Sequence, residues 1–375
     1  MSTKLFSSFK IGGLEFINRI VIAPMCQYSA TNGVPNDWHL MHLGQFSVSG
    51  ASLVIAEATA VESIGRISPG CTGLHNDEQE EAFARIVRFF ETFGVAKPGI
   101  QLAHAGRKAS TDFPWQGGKP LNPGEKGWET IGPSPIPFDD NWHSPDEMTR
   151  DDMGRIRDAF VGSAIRADRI GFQVLELHGA HGYLMSQFLS PIANNRQDEY
   201  GGSLENRMRF PLEVFDAVRA IWPERKVLGV RLSATDYEKP GITLEETVQV
   251  AVVLKDRGCD FIDVSSGGNL ARRPPVGTTT GPGYQVSFAE AIKRESGITT
   301  MAVGMIRDPH LAEELVVSGK ADLVALARGV LYDPHWPMHA AEALGAEAAY
   351  PKQYARSRPS MWPKAFPEFD KVMTS

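Results

Sequence analysis

Residues 178–183 place two imidazoles, His178 and His181, and one phenol, Tyr183, within six positions. They follow the apolar run Phe172-Gln-Val-Leu-Glu-Leu177, so three hydrogen-bonding side chains stand at the exit of a buried strand. Such a group can hold a polar oxygen or move a proton. A His-x-x-His pair can also hold a metal, but that needs a third ligand and usually a nearby glutamate base, and no HExxH pattern is present. Other chemistry-bearing residues also close apolar runs. Ala23-Pro24-Met25-Cys26-Gln27-Tyr28 brings a thiol and a phenol. Ala60, the carboxamide Gln101 and the guanidinium Arg231 end three more runs. Gly304-Met305 and Ala327-Arg328 end the last two. A glycine turn beside a cation is suited to phosphate, through backbone N–H groups and charge. Carboxamide, guanidinium, imidazoles and thiol together suit a phosphate-tailed, redox-active ring better than they suit a metal.

Eight short apolar runs must position these residues: 20–25, 53–59, 99–104, 174–178, 227–233, 261–266, 299–304 and 323–327. They read as continuous hydrophobics, the pattern of parallel strands buried on both faces. Helical patterns lie between them, at 77–93, 149–169, 203–221, 243–257, 287–295 and 308–318, and Thr149 and Ser203 are placed as N-caps. The expected architecture is therefore a (β/α)8 TIM barrel spanning 1–375 as one domain, with chemistry at the C-terminal strand ends. A doubly wound open sheet with an appended domain is the alternative. The Pro/Gly/Trp-rich stretch 106–150 after strand three reads as a lid insertion over the barrel mouth. The segment 350–375 is too apolar for a free solvated tail, so it is expected to dock on this subunit or a neighbour. A second His-x-x-His, His39 and His42, falls in a helical stretch after strand one and reads as helix packing or a subunit contact.

Composition bounds the function. The chain has 375 residues, 42% hydrophobic, with a net charge of −7, so a general nucleic-acid or anionic-membrane surface is not expected. Cys26, Cys71 and Cys259 are widely spaced with no CxxC pair. That argues against a disulfide framework and fits a reducing cytoplasm. The first ten residues lack a signal-peptide apolar core, and no apolar run reaches the length of a membrane span.

Four motifs together resemble the old yellow enzyme family, and more narrowly its thermophilic-like, xenobiotic reductase-like subclass. They are Ala23–Tyr28, Gly99-Ile-Gln-Leu-Ala-His104-Ala-Gly-Arg-Lys108, His178-Gly-Ala-His-Gly-Tyr-Leu184, and Asn195-Arg-Gln-Asp198-Glu-Tyr-Gly-Gly-Ser203-Leu-Glu-Asn-Arg207. They occur in the expected order, and the likeness runs from about Leu5 to Trp336. The resemblance implies a TIM barrel that binds FMN tightly but not covalently, takes reducing equivalents from NADPH or NADH, and reduces activated C=C bonds by ping-pong hydride transfer. Ala23, Pro24, Met25, Cys26 and Ala60 would line the ring. Gln101 would read its pyrimidine edge, and Arg231 would stabilise negative charge at N1/O2. Gly304, Met305, Ala327 and Arg328 would hold the phosphate. His178 and His181, with Tyr28, would bind the carbonyl oxygen of an enone-type substrate. Tyr183 would give a proton to the α-carbon. The family's C-terminal arginine, matched by Arg356, would reach a neighbouring active site in a homodimer or homotetramer. Here the chain continues past it for nineteen residues. Cys26 would tune the flavin or substrate affinity rather than act as a nucleophile. No metal is expected. Three rivals are a metal-dependent barrel hydrolase using His178 and His181, a non-enzymatic phosphate-ligand barrel, and a larger iron–sulfur relative. The last needs a cysteine-rich segment after the barrel, and Cys259 is the last cysteine.

Overall fold

The computed structural model describes residues 3–271 and 280–366. Eight parallel strands close into a barrel: β1 (Ile20–Ile22), β2 (Leu53–Ala60), β3 (Lys97–Ala103), β4 (Val174–Gly179), β5 (Val227–Ser233), β6 (Phe261–Ser265), β7 (Thr299–Ala302) and β8 (Leu323–Leu326). Each pairs with its sequence neighbours, and β8 closes on β1 with Val324 opposite Ile20. The TIM-barrel expectation is met, strand by strand.

The helices that wrap the barrel start where the sequence places capping residues. Thr149 caps the helix Arg150–Arg169 and exchanges hydrogen bonds with Asp152. Ser203 caps the helix Leu204–Ile221, and Thr243 with Glu246 caps the helix Leu244–Asp256. Each cap contributes about 1 kcal/mol. The sequence does not reveal the short helix Leu184–Leu189, which follows Tyr183 directly. It is fully buried and carries no charge, so it has no amphipathic period to read.

The barrel has two cores. The larger lies between strands and helices, around Phe83, Ile86, Phe160, Leu175, Leu177, Phe215 and Ile262. The smaller fills the interior and includes Val21, Leu53, Ile55, Val174, Val227, Phe261, Met301 and Leu323. A two-stranded antiparallel hairpin, Phe9–Ile11 with Leu14–Phe16, adds Ile11 and Phe16 to the interior core. Inward positions recur every second residue along a strand. On β4 they read Val174, Glu176, His178; on β5 Val227, Gly229, Arg231; on β6 Phe261, Asp263, Ser265. The barrel lumen therefore grades from apolar at the N-terminal strand ends to charged at the C-terminal ends. Gly229 leaves room for Phe261, whose ring would lie 2.3 Å from an added Cβ.

The stretch 106–150 forms an irregular excursion with one short parallel pair, Ile131–Gly132 and Asp146–Glu147. It folds back on the strand ends. Trp115 packs edge-on against Tyr28 at 6.0 Å and stacks on Phe113, and Trp128 donates to Ile64 O at 2.8 Å. The tail follows the helix Trp336–Ala343 as a series of 3-10 turns. It docks only in part: Tyr350, Tyr354 and Phe366 line a hollow with His335, Met338 and His339. Met361 and Trp362 stay exposed. Residues 367–375 lie outside the described part of the chain.

Candidate active site

The turn after β4 is held by close backbone approach. Gly182 has φ 71° and Gly268 φ 109°. A Cβ on Gly182 would lie 2.1 Å from Gly268 O, and one on Gly268 would lie 2.2 Å from the carbonyl carbon of His181. Only glycine fits at either place. Lys108 Nζ then bridges the two loops, donating to His181 O at 2.7 Å and to Gly268 O at 2.9 Å. Burial pushes Lys108 down to about 7, with Arg107 beside it adding to the effect. His181 itself holds φ 60°, as do Tyr28 (52°) and Met305 (54°) in their own turns. For non-glycine residues this backbone is uncommon and is sustained by its surroundings.

His178 is buried at the end of β4, beside Arg231 in register on β5. Its Nδ1 accepts from Ala180 N at 3.3 Å, so the ring proton sits on Nε2. His178 Nε2 lies 3.4 Å from His181 Nδ1, with the rings perpendicular. On its far side His181 Nε2 meets Ser265 Oγ at 2.7 Å. Burial, reinforced by the cations Arg231 and Lys108, holds both histidines well below their ordinary value, so both are neutral at physiological pH. Ser265 Oγ also lies 3.4 Å from Gln285 Oε1, to which it can donate; in the tautomer in which Ser265 donates instead to His181 Nε2, His181 carries its proton on Nδ1. Two neutral N–H groups then converge on one point, which is the arrangement a carbonyl oxygen requires. Tyr183 sits edge-on to His178 at 5.0 Å, and Lys108 Nζ lies 5.0 Å from its ring centroid. Its hydroxyl makes no hydrogen bond with a described residue. Burial raises it well above the usual phenol value, so it stays protonated.

Beneath the histidines lies a set of buried charges. Arg231 Nε is 3.0 Å from Asp263 Oδ2, and Gln101 Nε2 donates to Glu176 Oε1 at 2.6 Å. Glu176 Oε2, both Asp263 oxygens and Arg231 Nε have no hydrogen-bond partner of good geometry. Sequence reasoning placed Gln101 and Arg231 but missed Glu176 and Asp263. Their signal was a lone acidic residue inside each apolar strand, Val-Leu-Glu-Leu-His-Gly and Phe-Ile-Asp-Val-Ser.

On the opposite side of the mouth Ala23 is buried, and residues 24–28 are half-buried. The Cys71 thiol and burial together raise the Cys26 thiol well above its ordinary value. Cys26 is thus a thiol rather than a reactive thiolate. Glu57, also missed from sequence, sits at a bulge in β2 and accepts from Gln27 N at 3.2 Å. His39 lies 3.4 Å from it, and His42 packs edge-on against Phe46. The second histidine pair is therefore helix packing, with His39 reaching the carboxylate that steadies the 23–28 turn. Ala60 is buried at the end of β2. Gly304 turns with φ 130° after β7, and Met305 is exposed. Arg328 opens the helix Arg328–Tyr332 after Ala327, exposed and without an ion pair to a described residue. Arg356 lies exposed in a tail turn and makes no bond to the mouth of its own barrel. Among the described residues no group of three or more His, Cys, Asp and Glu side chains is arranged to hold a metal ion.

Residues 4–347 match the model of the NADH:flavin oxidoreductase / NADH oxidase family. The chain belongs to this family, the old yellow enzymes. It is similar to an NADPH dehydrogenase of Geobacillus sp. (strain WCH70), with 45% identity over 95% of this chain and 99% of the relative. An NADPH dehydrogenase of Listeria innocua is 43% identical over 95% of this chain and 99% of its own length. Among solved structures, morphinone reductase in complex with tetrahydroNAD superposes with a TM-score of 0.74 at 26% identity, covering 92% of each chain. A 2-naphthoyl-CoA reductase reaches 0.80 at 25% identity, covering 91% of this chain and 52% of that one. This old yellow enzyme is thus an oxidoreductase with FMN as cofactor and a reduced nicotinamide as reductant. The buried residues suit FMN: an amide, a guanidinium and open hydrogen-bonding atoms cluster at one barrel end, a donor set for a polar heterocycle rather than an apolar ligand.

Proposed function

We propose that this chain is an NADPH-dependent ene-reductase acting on α,β-unsaturated carbonyls. The observation that carries the reading is the pair of neutral imidazoles, 3.4 Å apart nitrogen to nitrogen, beside the unbonded hydroxyl of Tyr183. When bound, FMN supplies the hydride. His178 Nε2–H and His181 Nδ1–H donate to the substrate oxygen, where negative charge grows as the β-carbon is reduced. Ala180 N places the His178 donor, and a Ser265 hydroxyl turned toward His181 Nε2 places the other, so the pair is organised before reaction. Tyr28 faces the same mouth and adds a third contact to the substrate. Tyr183 gives the proton to the α-carbon. Arg231, held by Asp263, would meet negative charge on the flavin. Gln101 retains one amide hydrogen and its oxygen for the pyrimidine ring. Ala23, Pro24, Met25, Cys26 and Ala60 line the ring. Gly304, Met305, Ala327 and Arg328 hold the phosphate. NADPH rather than NADH is favoured by the likeness to NADPH dehydrogenases. The exposed apolar tail, with Tyr354, Met361 and Trp362, supports a homo-oligomer in which Arg356 reaches a neighbouring mouth. The formal net charge of −7 and the absence of a long apolar helix among the described residues support small-molecule chemistry in the cytoplasm.

An absorbance spectrum of the purified protein tests this reading. Flavin bands should bleach with NADPH and return on adding cyclohexenone. Bands that bleach but do not return with any enone would sink the ene-reductase assignment. For Tyr183→Phe, bleaching by NADPH should persist while turnover of weakly activated enones falls by about 10²-fold or more. Equal rates in both half-reactions for variant and parent would remove Tyr183 as proton donor.

A further inference from the structure

The lumen beneath the histidines holds two carboxyl groups and one guanidinium. Glu176 and Asp263 are fully buried, and Arg231 is nearly so. The groups facing Glu176 can be named strand by strand. Gln101 comes from β3 and His178 from its own β4. Arg231 comes from β5, where Gly229, directly opposite Glu176, offers no side chain. Asp263 comes from β6. The helix Leu184–Leu189, which packs on β4, carries no charge. With both histidines neutral, two ionised carboxylates against one cation would leave an uncompensated negative charge in the barrel core, which is costly. The geometry also says which carboxyl is the weaker acid. Asp263 has the guanidinium at 3.0 Å, whereas Glu176 has only a neutral amide on one oxygen and nothing on the other.

We propose that Glu176 is a buried proton-holding residue: protonated at neutral pH, it keeps the Glu176–Asp263–Arg231 set uncharged and binds its proton more tightly when negative charge arrives at the flavin edge. It is a positioning residue, acting through Arg231 and the local field. The second half of the proposal rests on the reading that Arg231 faces the flavin N1/O2 edge. Burial and the negative charge of Asp263 push Glu176 up to about 8, which agrees with the geometry. The balance is simple. Hydride transfer from the reduced nicotinamide brings two electrons and one proton to the flavin. In the pH window between the oxidised-state and reduced-state values of Glu176, a second proton is taken from solvent onto its carboxylate. No bond other than that O–H forms on the protein.

The linkage sign gives a readout that needs no turnover. A carboxyl raised in the folded state contributes stability that is intact below its unfolded value and is lost as pH rises through its folded value. The wild-type protein should therefore lose thermal stability between mildly acidic and mildly alkaline pH, and Glu176→Gln should flatten that loss. pH-difference infrared spectroscopy on the full-length, flavin-loaded protein should show a protonated carboxyl band at neutral pH that disappears at alkaline pH. In Glu176→Gln the band should be absent at both. In Asp263→Asn the like charge is gone, so Glu176 should ionise at lower pH. Potentiometry gives the flavin-linked half. Near neutral to alkaline pH, proton uptake should rise from one toward two per two electrons in the wild type and stay at one in Glu176→Gln. A wild-type spectrum with no protonated carboxyl at neutral pH overturns the proposal without any variant. So does a proton count identical in the wild type and Glu176→Gln. If the protein retains no flavin, the infrared and stability results still judge the proton, and the failure then belongs to the functional reading.

Discussion

His178→Ala should lower enone reduction by about 10²–10³-fold, the cost of removing one preorganised donor from a developing oxyanion. The loss should fall on the oxidative half-reaction, because negative charge develops on a carbonyl oxygen only as the enone is reduced. Stopped-flow traces of flavin bleaching by NADPH should therefore change little, while reoxidation by cyclohexenone slows. Alanine removes the Nε2–H that meets His181 and leaves Ala180 N without its acceptor at 3.3 Å, so a small stability loss is also expected. Both neutral histidines imply a pH profile that separates this reading from an imidazolium mechanism. Burial and the neighbouring cations keep each ring from charging until well below its ordinary value. The oxidative rate should accordingly show no histidine inflection near neutrality. An inflection there that vanishes in His178→Ala would mean that the proton on His178 is mobile, and the neutral-donor mechanism would have to be abandoned.

How far this site was legible in the sequence depends on the physical kind of signal each residue carried. The barrel could be read because its eight strands are buried on both faces and so appear as runs of apolar residues, each followed by a capped helix. The His178–Tyr183 turn could be read because polar side chains crowd the end of such a run. Glu176 and Asp263 escaped because each sits inside a run, where the strand was read as uniformly apolar and its inward, every-second-residue set was not separated out. Glu57 escaped for a related reason: the bulge between Ala56 and Ala58 breaks the alternation that would have marked it as pointing inward. Ser265 falls inside the sixth apolar run, and nothing in that run marks it as a partner of His181. Its contact with His181 Nε2 is a through-space one between β6 and the turn after β4, 84 residues apart in sequence. The hairpin over 9–16 has strands of three residues, too short for any periodicity to show. The tail's partial docking was beyond reach because exposure depends on what covers Met361 and Trp362, not on their own hydrophobicity.

Arg231→Met should be the most damaging substitution at the site, for two reasons that experiment can separate. The first is structural. Removing one partner of a buried ion pair costs about 3–5 kcal/mol, because the remaining charge has no compensation. Asp263 would lose its cation at 3.0 Å, and Glu176 would lose the only positive charge near it. Part of that cost is recovered by protonation, since a carboxyl stranded in the core binds a proton instead. The folded-state value of Asp263, already raised by burial, would rise further. By the sign of the linkage, the variant should be nearly as stable as the parent in acid and lose ground progressively as pH rises. Thermal melts across pH check this, and a pH-independent deficit would mean that lost packing, not stranded charge, causes the damage. The second reason concerns the cofactor. With Arg231 gone, FMN should be retained more weakly, and reduced FMN should be affected more than oxidised. The double variant Arg231→Met with Asp263→Asn distinguishes the two effects. Neutralising the stranded carboxyl should restore much of the stability, because the two sites are in contact and their costs are not additive. It cannot restore a cation at the flavin edge. Stability regained together with full FMN retention would show that Arg231 serves the fold alone, whereas stability regained with FMN still lost assigns the guanidinium to the cofactor.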